Sequence, residues 1–142
     1  LVAALLGATL GGDPIAGFRC TITLSNIFSA IFMYAGFYML YGNRIGGIIA
    51  GIVYVSSAYR GWAIRAGVFP LYVSTMFLPL LIPFHEHCLS SNALRDHGLL
   101  ACVLSLILLT HMQIFVYAFL TLLLYSILGP STRISIEDTS YH

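Results

Sequence analysis

The chain alternates between long uncharged apolar runs and short polar breaks. The clearest run, Thr21–Tyr41, has no charged residue and matches the roughly 20 apolar residues that a membrane-spanning helix needs. The next, Ile45–Tyr59, corresponds to only about 22 Å of helix. The third, Ala66–Phe84, contains three prolines, which bend or break helices, so we expect an irregular span there. This pattern predicts an all-α fold, a polytopic transmembrane helix bundle.

The last apolar run, Gly98–Leu128, is longer than one span requires. As a single helix it would measure about 46 Å, well beyond a hydrocarbon core of about 30 Å. Polar residues around His111 lie near its middle. Two alternatives therefore stay open: two shorter helices that break there, or one tilted helix. We therefore expect four or five spanning or partly spanning helices. They make up one transmembrane domain, residues 1–130, followed by a polar tail, residues 131–142.

Composition supports the same class of protein. The chain is 59% hydrophobic and only 8% charged, whereas soluble domains carry about 25% charged residues. This excludes an ordinary soluble globule. The net charge of +1 leaves no basic footprint for nucleic acid. We predict an integral membrane protein, in a membrane of unassigned identity, whose partners are membrane lipid and other transmembrane helices or subunits.

Small residues recur four positions apart in the second apolar run. Such spacings let two helix backbones approach closely in a membrane. The sequence therefore predicts a helix-packing face made of Gly46, Gly47, Ala50 and Gly51.

Three charged residues beside the apolar runs are the main candidates for chemistry. If the first two runs both cross the membrane, Asp13, Arg60 and Arg65 lie on the same side of it. Arginine suits a phosphate because its planar fork pairs with two oxygens, and an ionised aspartate can act as a general base. The alternative is that all three are hydrated charges at helix ends.

Four histidines could in principle bind a metal or haem. His85 and His87 form an H-x-H pair, which differs from the i, i+4 spacing of helical zinc pairs. His97 and His111 would lie about 21 Å apart on one helix, a separation comparable to two-depth haem ligation. The alternatives are a polar interfacial loop and a hydrogen-bonded His111. We therefore predict no metal site, and these four histidines are the weak candidates for one. The cofactor stays unassigned.

Phe37–Phe84 followed by Leu99–Leu124 resembles the central membrane region of GT-C-type glycosyltransferases. The similar features are a tyrosine- and glycine-rich short helix, a Tyr-Arg turn, an "LPLL" helix and a short helix pair hinged at Thr110-His111. The resemblance implies an all-helical core and a polyprenyl- or dolichyl-phosphate sugar donor.

The same resemblance implies roles for individual residues. A catalytic acid in the first extracytoplasmic loop would be Asp13, and the contacts to the donor phosphate would be Arg60 or Arg65. The chain departs from that family in having fewer spans and no soluble domain. The competing hypothesis is a non-catalytic small transmembrane subunit of a larger respiratory, photosynthetic or transport complex.

Overall fold

Every regular element that the structure describes is a helix, which confirms the all-α prediction. The computed structural model describes residues 7–8, 12–57, 60–62, 68–91 and 93–128. The predicted tail, residues 131–142, and Arg65 lie outside this part of the chain. The helices are α1 Pro14–Tyr41, α2 Arg44–Val55, α3 Phe69–Ser74, a 3-10 helix Thr75–Leu80, α4 Leu81–Ser91, α5 Leu94–Thr110 and α6 Met112–Leu128.

Helix α1 has clear start and stop signals. The Asp13 carboxylate accepts a hydrogen bond from the Ile15 N–H at 2.9 Å, and Pro14 occupies the first helical turn. The helix ends at Tyr41 and is followed by the C-cap Gly42, whose positive φ of 66° suits glycine. It therefore begins seven residues before the predicted span. Among the described helices, α1 alone is both long and apolar enough to cross a membrane as one helix, a test that core helices of soluble proteins also pass.

Helix α2 returns along α1 but is shorter than the sequence indicates. The Asn43 side chain caps it by accepting from the Gly46 N–H at 2.9 Å. It ends at Val55, so its 12 residues cover about 18 Å. The predicted helix to Tyr59 is wrong at its end, and α2 by itself is too short to cross a bilayer.

The proline-rich run forms a composite helix, α3–3-10–α4, from Phe69 to Ser91. Its three parts add up to about 37 Å. It runs parallel to α1: Phe69 packs on Phe18, Met76 lies beside Ser25, and Pro79 lies beside Gly36. The expected irregularity is present as a 3-10 segment. The polar loop expected to begin at His85 is not present, because α4 continues to Ser91.

The last apolar run breaks where its polar residues occur. His111 has an extended backbone, with φ −161° and ψ 107°, between α5 and α6. Of the two open alternatives, the pair of shorter helices is confirmed. These helices and the composite helix share one apolar core cluster, formed by Leu71, Tyr72, Phe77, Leu81, Val103, Ile107, Ile114, Ala118 and Leu122.

Candidate functional site

A buried arginine joins three segments of the chain. Arg60 is 2% exposed. Its Nη1 donates to the Thr75 hydroxyl at 3.0 Å, and its Nη2 lies 3.5 Å from the Ser25 carbonyl oxygen. The guanidinium also lies over two tyrosine rings, 4.3 Å from the centroid of Tyr72 and 5.6 Å from that of Tyr54. Aromatic faces stabilise a cation that has been removed from water.

The cation at this junction is not neutralised by a nearby acid in the described part of the chain. In the described part of the chain, an ion pair joins Arg95 and Asp96 at 3.5 Å and does not involve Arg60. The Arg60 Nε is buried and has no hydrogen-bond partner among the described residues. Neutral oxygens and tyrosine rings therefore stabilise the charge in place of a carboxylate.

Proline chemistry explains why the junction forms at Thr75. Pro79 has no N–H to donate to the carbonyl of Thr75, four residues before it. The Tyr54 hydroxyl donates to that carbonyl at 2.5 Å. The Thr75 hydroxyl donates to the Tyr72 carbonyl at 2.7 Å, and the Tyr72 hydroxyl donates to Asn26 Oδ1. The broken helix is thus stabilised by side chains from α1 and α2.

The junction lies close to the middle of α1. The midpoint of Pro14–Tyr41 falls between Ile27 and Phe28. Ser25, whose carbonyl faces Arg60, is two to three residues away, or about 4 Å along the axis. The Arg60 guanidinium is therefore at mid-helix level, far from either end of α1.

The sequence-derived trio is not brought together. Asp13 is an exposed N-cap, and 12 residues separate it from Ser25, or about 18 Å along the helix. The expectation that Asp13 and Arg60 share a surface depended on α2 crossing the whole membrane, whereas α2 ends at Val55. Arg65 lies outside the described residues.

The small-residue face of α2 lies against α1. A Cβ added at Gly47 would lie 2.9 Å from Tyr34 Cδ2 and 3.1 Å from the Tyr34 carbonyl oxygen, and one at Gly51 would lie 3.0 Å from the Ala30 carbonyl oxygen. Phe37 covers Gly46, at 2.6 Å from such a Cβ. Ala50 is half-buried beside them. The partner of this face is therefore the preceding helix of the same chain.

A third close approach joins α1 to the composite helix. A Cβ added at Gly36 would lie 3.3 Å from the Pro79 carbonyl carbon and nearer still to its oxygen. Pro83 cannot donate to that oxygen because it has no N–H. The two Gly36 hydrogens let the carbonyl approach the α1 backbone, where it can form a weak Cα–H···O contact.

The histidines have separate surroundings. His85 Nε2 is 2.8 Å from Ser126 Oγ, and His97 Nδ1 is 3.0 Å from the Ala93 carbonyl oxygen. His111 Nδ1 is buried at the α5–α6 break without a hydrogen-bond partner among the described residues, and His87 is exposed on α4. No group of three or more metal-binding side chains occurs within the described ranges.

Sequence reasoning missed most of the junction around Arg60. Two signals point to it in retrospect. Ser25 and Ser29, four residues apart, mark a polar stripe within an apolar helix. Thr75 lies four residues before Pro79 and so must lose a backbone donor if the segment is helical. No local signal links either of them to Tyr54 or Arg60.

No protein-family model matches the chain, and neither a curated protein nor a solved structure is significantly similar to it.

Proposed function

We propose that this chain is an integral membrane protein that acts as a non-catalytic transmembrane subunit. The observation that carries the proposal is the polarity of α1. Its buried positions are small or polar: Gly17, Ser25, Ser29 and Gly36. Its exposed positions include Ile27 and Ile31, each about half accessible. In water the opposite distribution would be favoured, because exposing large apolar side chains costs free energy.

The other helices support the same interpretation. The buried residues of α2 are glycines, while Ile45, Ile48 and Ile52 are 55–72% exposed. Helices α5 and α6 expose Leu109 and Leu128 to a similar or greater degree. Large apolar side chains outside and small residues between helices are typical of bundles surrounded by lipid.

Helix lengths are compatible with several crossings. Helix α1 measures about 42 Å and the parallel composite helix about 37 Å, against a hydrocarbon core of about 30 Å. The irregular 3-10 backbone lies within protein contacts, as irregular backbone must at membrane depth. We therefore propose that both segments cross the bilayer within a polytopic bundle.

The glycosyltransferase hypothesis stays a prediction and gains no support from this geometry. It requires a donor phosphate at Arg60 and an acid close to it. The guanidinium is 2% exposed and already engaged by Thr75 and Ser25, and Asp13 is about 18 Å away along α1. A subunit needs only lateral contacts, which the exposed apolar faces supply.

A pair of charge substitutions tests the membrane location. Ile31→Asp alters an exposed position near the middle of α1, and Ile15→Asp alters an exposed position at its end. In a bilayer the central aspartate costs about 3–4 kcal/mol and the terminal one much less. We expect the parent and Ile15→Asp to resist alkaline carbonate extraction, and Ile31→Asp to be released or degraded. Release of the parent, or equal behaviour of both variants, would contradict a membrane location.

The subunit role is tested on protein purified in a mild detergent from its native membrane. We expect a stoichiometric complex with other membrane proteins and no retained polyprenyl-phosphate sugar. A monomer that retains labelled donor, and loses transfer but not donor on Asp13→Asn, would establish the glycosyltransferase hypothesis instead.

A further inference from the structure

The buried junction around Arg60 contains more hydrogen-bond donors than acceptors. A guanidinium carries five N–H groups and no acceptor. Among the described residues, those of Arg60 reach two oxygens, the Thr75 hydroxyl at 3.0 Å and the Ser25 carbonyl at 3.5 Å. The Nε–H is buried and has no partner among these residues. A buried donor that stays unpaired costs free energy, and the cost is larger for a charged group.

A second donor at the same junction is weakly used. Ser25 is 3% exposed, and the described acceptor of its hydroxyl is the thioether of Met76, with Oγ and Sδ 3.9 Å apart. Thioether sulfur is a weak acceptor. The hydroxyl of Ser29, one turn further along α1, instead donates to the Ser25 carbonyl at 2.5 Å. Arg60 Nε and Ser25 Oγ are therefore two buried donors that lack a strong acceptor.

The positive charge of the junction has no acidic counterpart on the segments that build it. Between Asp13 and Glu86 the sequence contains no Asp or Glu. Asp13 is about 18 Å from Ser25 along α1. Glu86 is about 19 Å beyond Thr75 along the composite helix. Neither carboxylate is within hydrogen-bonding reach of the guanidinium, although buried charges in proteins are ordinarily paired.

We propose that the junction binds one small monovalent anion, with chloride as the probe, through Arg60 Nε–H and the Ser25 hydroxyl. An anion supplies both the acceptor that these donors lack and a negative charge for the guanidinium. One guanidinium calls for a single negative charge, and the 2% exposure of Arg60 favours an ion of few atoms. A water molecule would satisfy the donors but would leave the charge uncompensated. This inference goes beyond the proposed subunit role and rests on the junction itself.

The test follows thermal unfolding of the full chain in mild detergent while chloride replaces gluconate at constant ionic strength. An anion that binds only the folded chain stabilises it by mass action, even if exchange in the folded state is slow. We expect the melting temperature to rise by roughly 6 °C at a chloride concentration about thirty times the dissociation constant. Arg60→Met should abolish this rise. The control Arg19→Gln, which removes an exposed charge on α1, should retain it.

Two buried serines of α1 provide a matched pair of variants. Ser25→Ala removes the weakly used donor and should weaken chloride binding about tenfold, the effect of one hydrogen bond to a charged group. Ser29→Ala removes a hydroxyl that is already bonded to the Ser25 carbonyl, so it should bind chloride like the parent. Equal chloride affinity in the two variants would overturn the contact with Ser25.

Two results would overturn the anion site itself. One is a parent protein whose melting temperature does not respond to chloride. The other is an equal response in the parent, Arg60→Met and Arg19→Gln, which would indicate a general salt effect. If Arg60→Met does not fold, crystals of the parent grown in bromide decide the question. An anomalous scattering peak adjacent to Arg60 Nε would support the site, and bromide found only on the protein surface would overturn it.

Discussion

Gly36 and Gly98 offer opposite responses to the same substitution. Gly→Ala in a helix ordinarily adds about 0.5–1 kcal/mol of stability. At Gly98, in α5, an added Cβ meets nothing within 4 Å, so this gain should be realised. At Gly36 the Cβ would overlap the Pro79 carbonyl and lie 3.4 Å from Pro83 Cγ. Overpacking of this kind costs about 1–3 kcal/mol, and prolines restrict how far the opposing backbone can move.

The net expectation for Gly36→Ala is a loss of about 1–2 kcal/mol in the free energy of unfolding. Gly98→Ala should gain about 0.5–1 kcal/mol, so the two variants should differ by about 1.5–3 kcal/mol. Thermal unfolding followed by circular dichroism in mild detergent measures both changes. If Gly36→Ala melts at or above the parent temperature, α1 and the composite helix do not approach as closely as described.

Substitutions at three further residues probe the junction and the start of α1. Tyr54→Phe removes the donor to the Thr75 carbonyl and should cost about 1–2 kcal/mol of stability. The control Tyr117→Phe, at an exposed tyrosine, should change stability by less than about 0.5 kcal/mol. Equal melting temperatures of the two variants would exclude a structural role for the Tyr54 hydroxyl. Arg60→Ala should cost about 3 kcal/mol of stability through the cavity it leaves. Arg60→Met should restore at least half of that loss, since no described carboxylate is left unpaired. An equal loss in both variants would mean that the charge itself is required. Asp13→Ala should lower stability by about 1 kcal/mol and Asp13→Asn should not, because asparagine also caps; a loss in both would contradict the capping role. All are read by thermal unfolding.

Local signals predicted the parts of the fold that depend on neighbours in sequence. The uncharged runs predicted helices, and the polar residues around His111 predicted the break between α5 and α6. The prolines predicted an irregular third segment, found as the 3-10 helix that contains Pro79. Each of these features arises within a few residues of the signal that predicts it.

The candidate site was not predictable in the same way. The depth of Arg60 depends on where α2 ends and on partners such as Ser25 and Thr75, which are 35 and 15 residues distant in sequence. Counting apolar runs as whole crossings placed Arg60 beside Asp13, because run length does not reveal that α2 ends at Val55. The polarity of the HEHC sequence at His85 favours a loop, although the α4 backbone continues through it.

If the chain lies in a membrane, as proposed above, the short length of α2 has a consequence for its insertion. A 12-residue helix is below the roughly 20 residues needed to partition into a bilayer independently. Helix α1 is long enough, and the two-residue turn at Gly42 and Asn43 holds α2 directly against it. Insertion as a preformed hairpin would let the backbone contacts at Gly47 and Gly51 compensate for the missing hydrophobic length. In that order of events, and given the proposed membrane location, Arg60 would enter the bilayer only after α1 is in place to shield it.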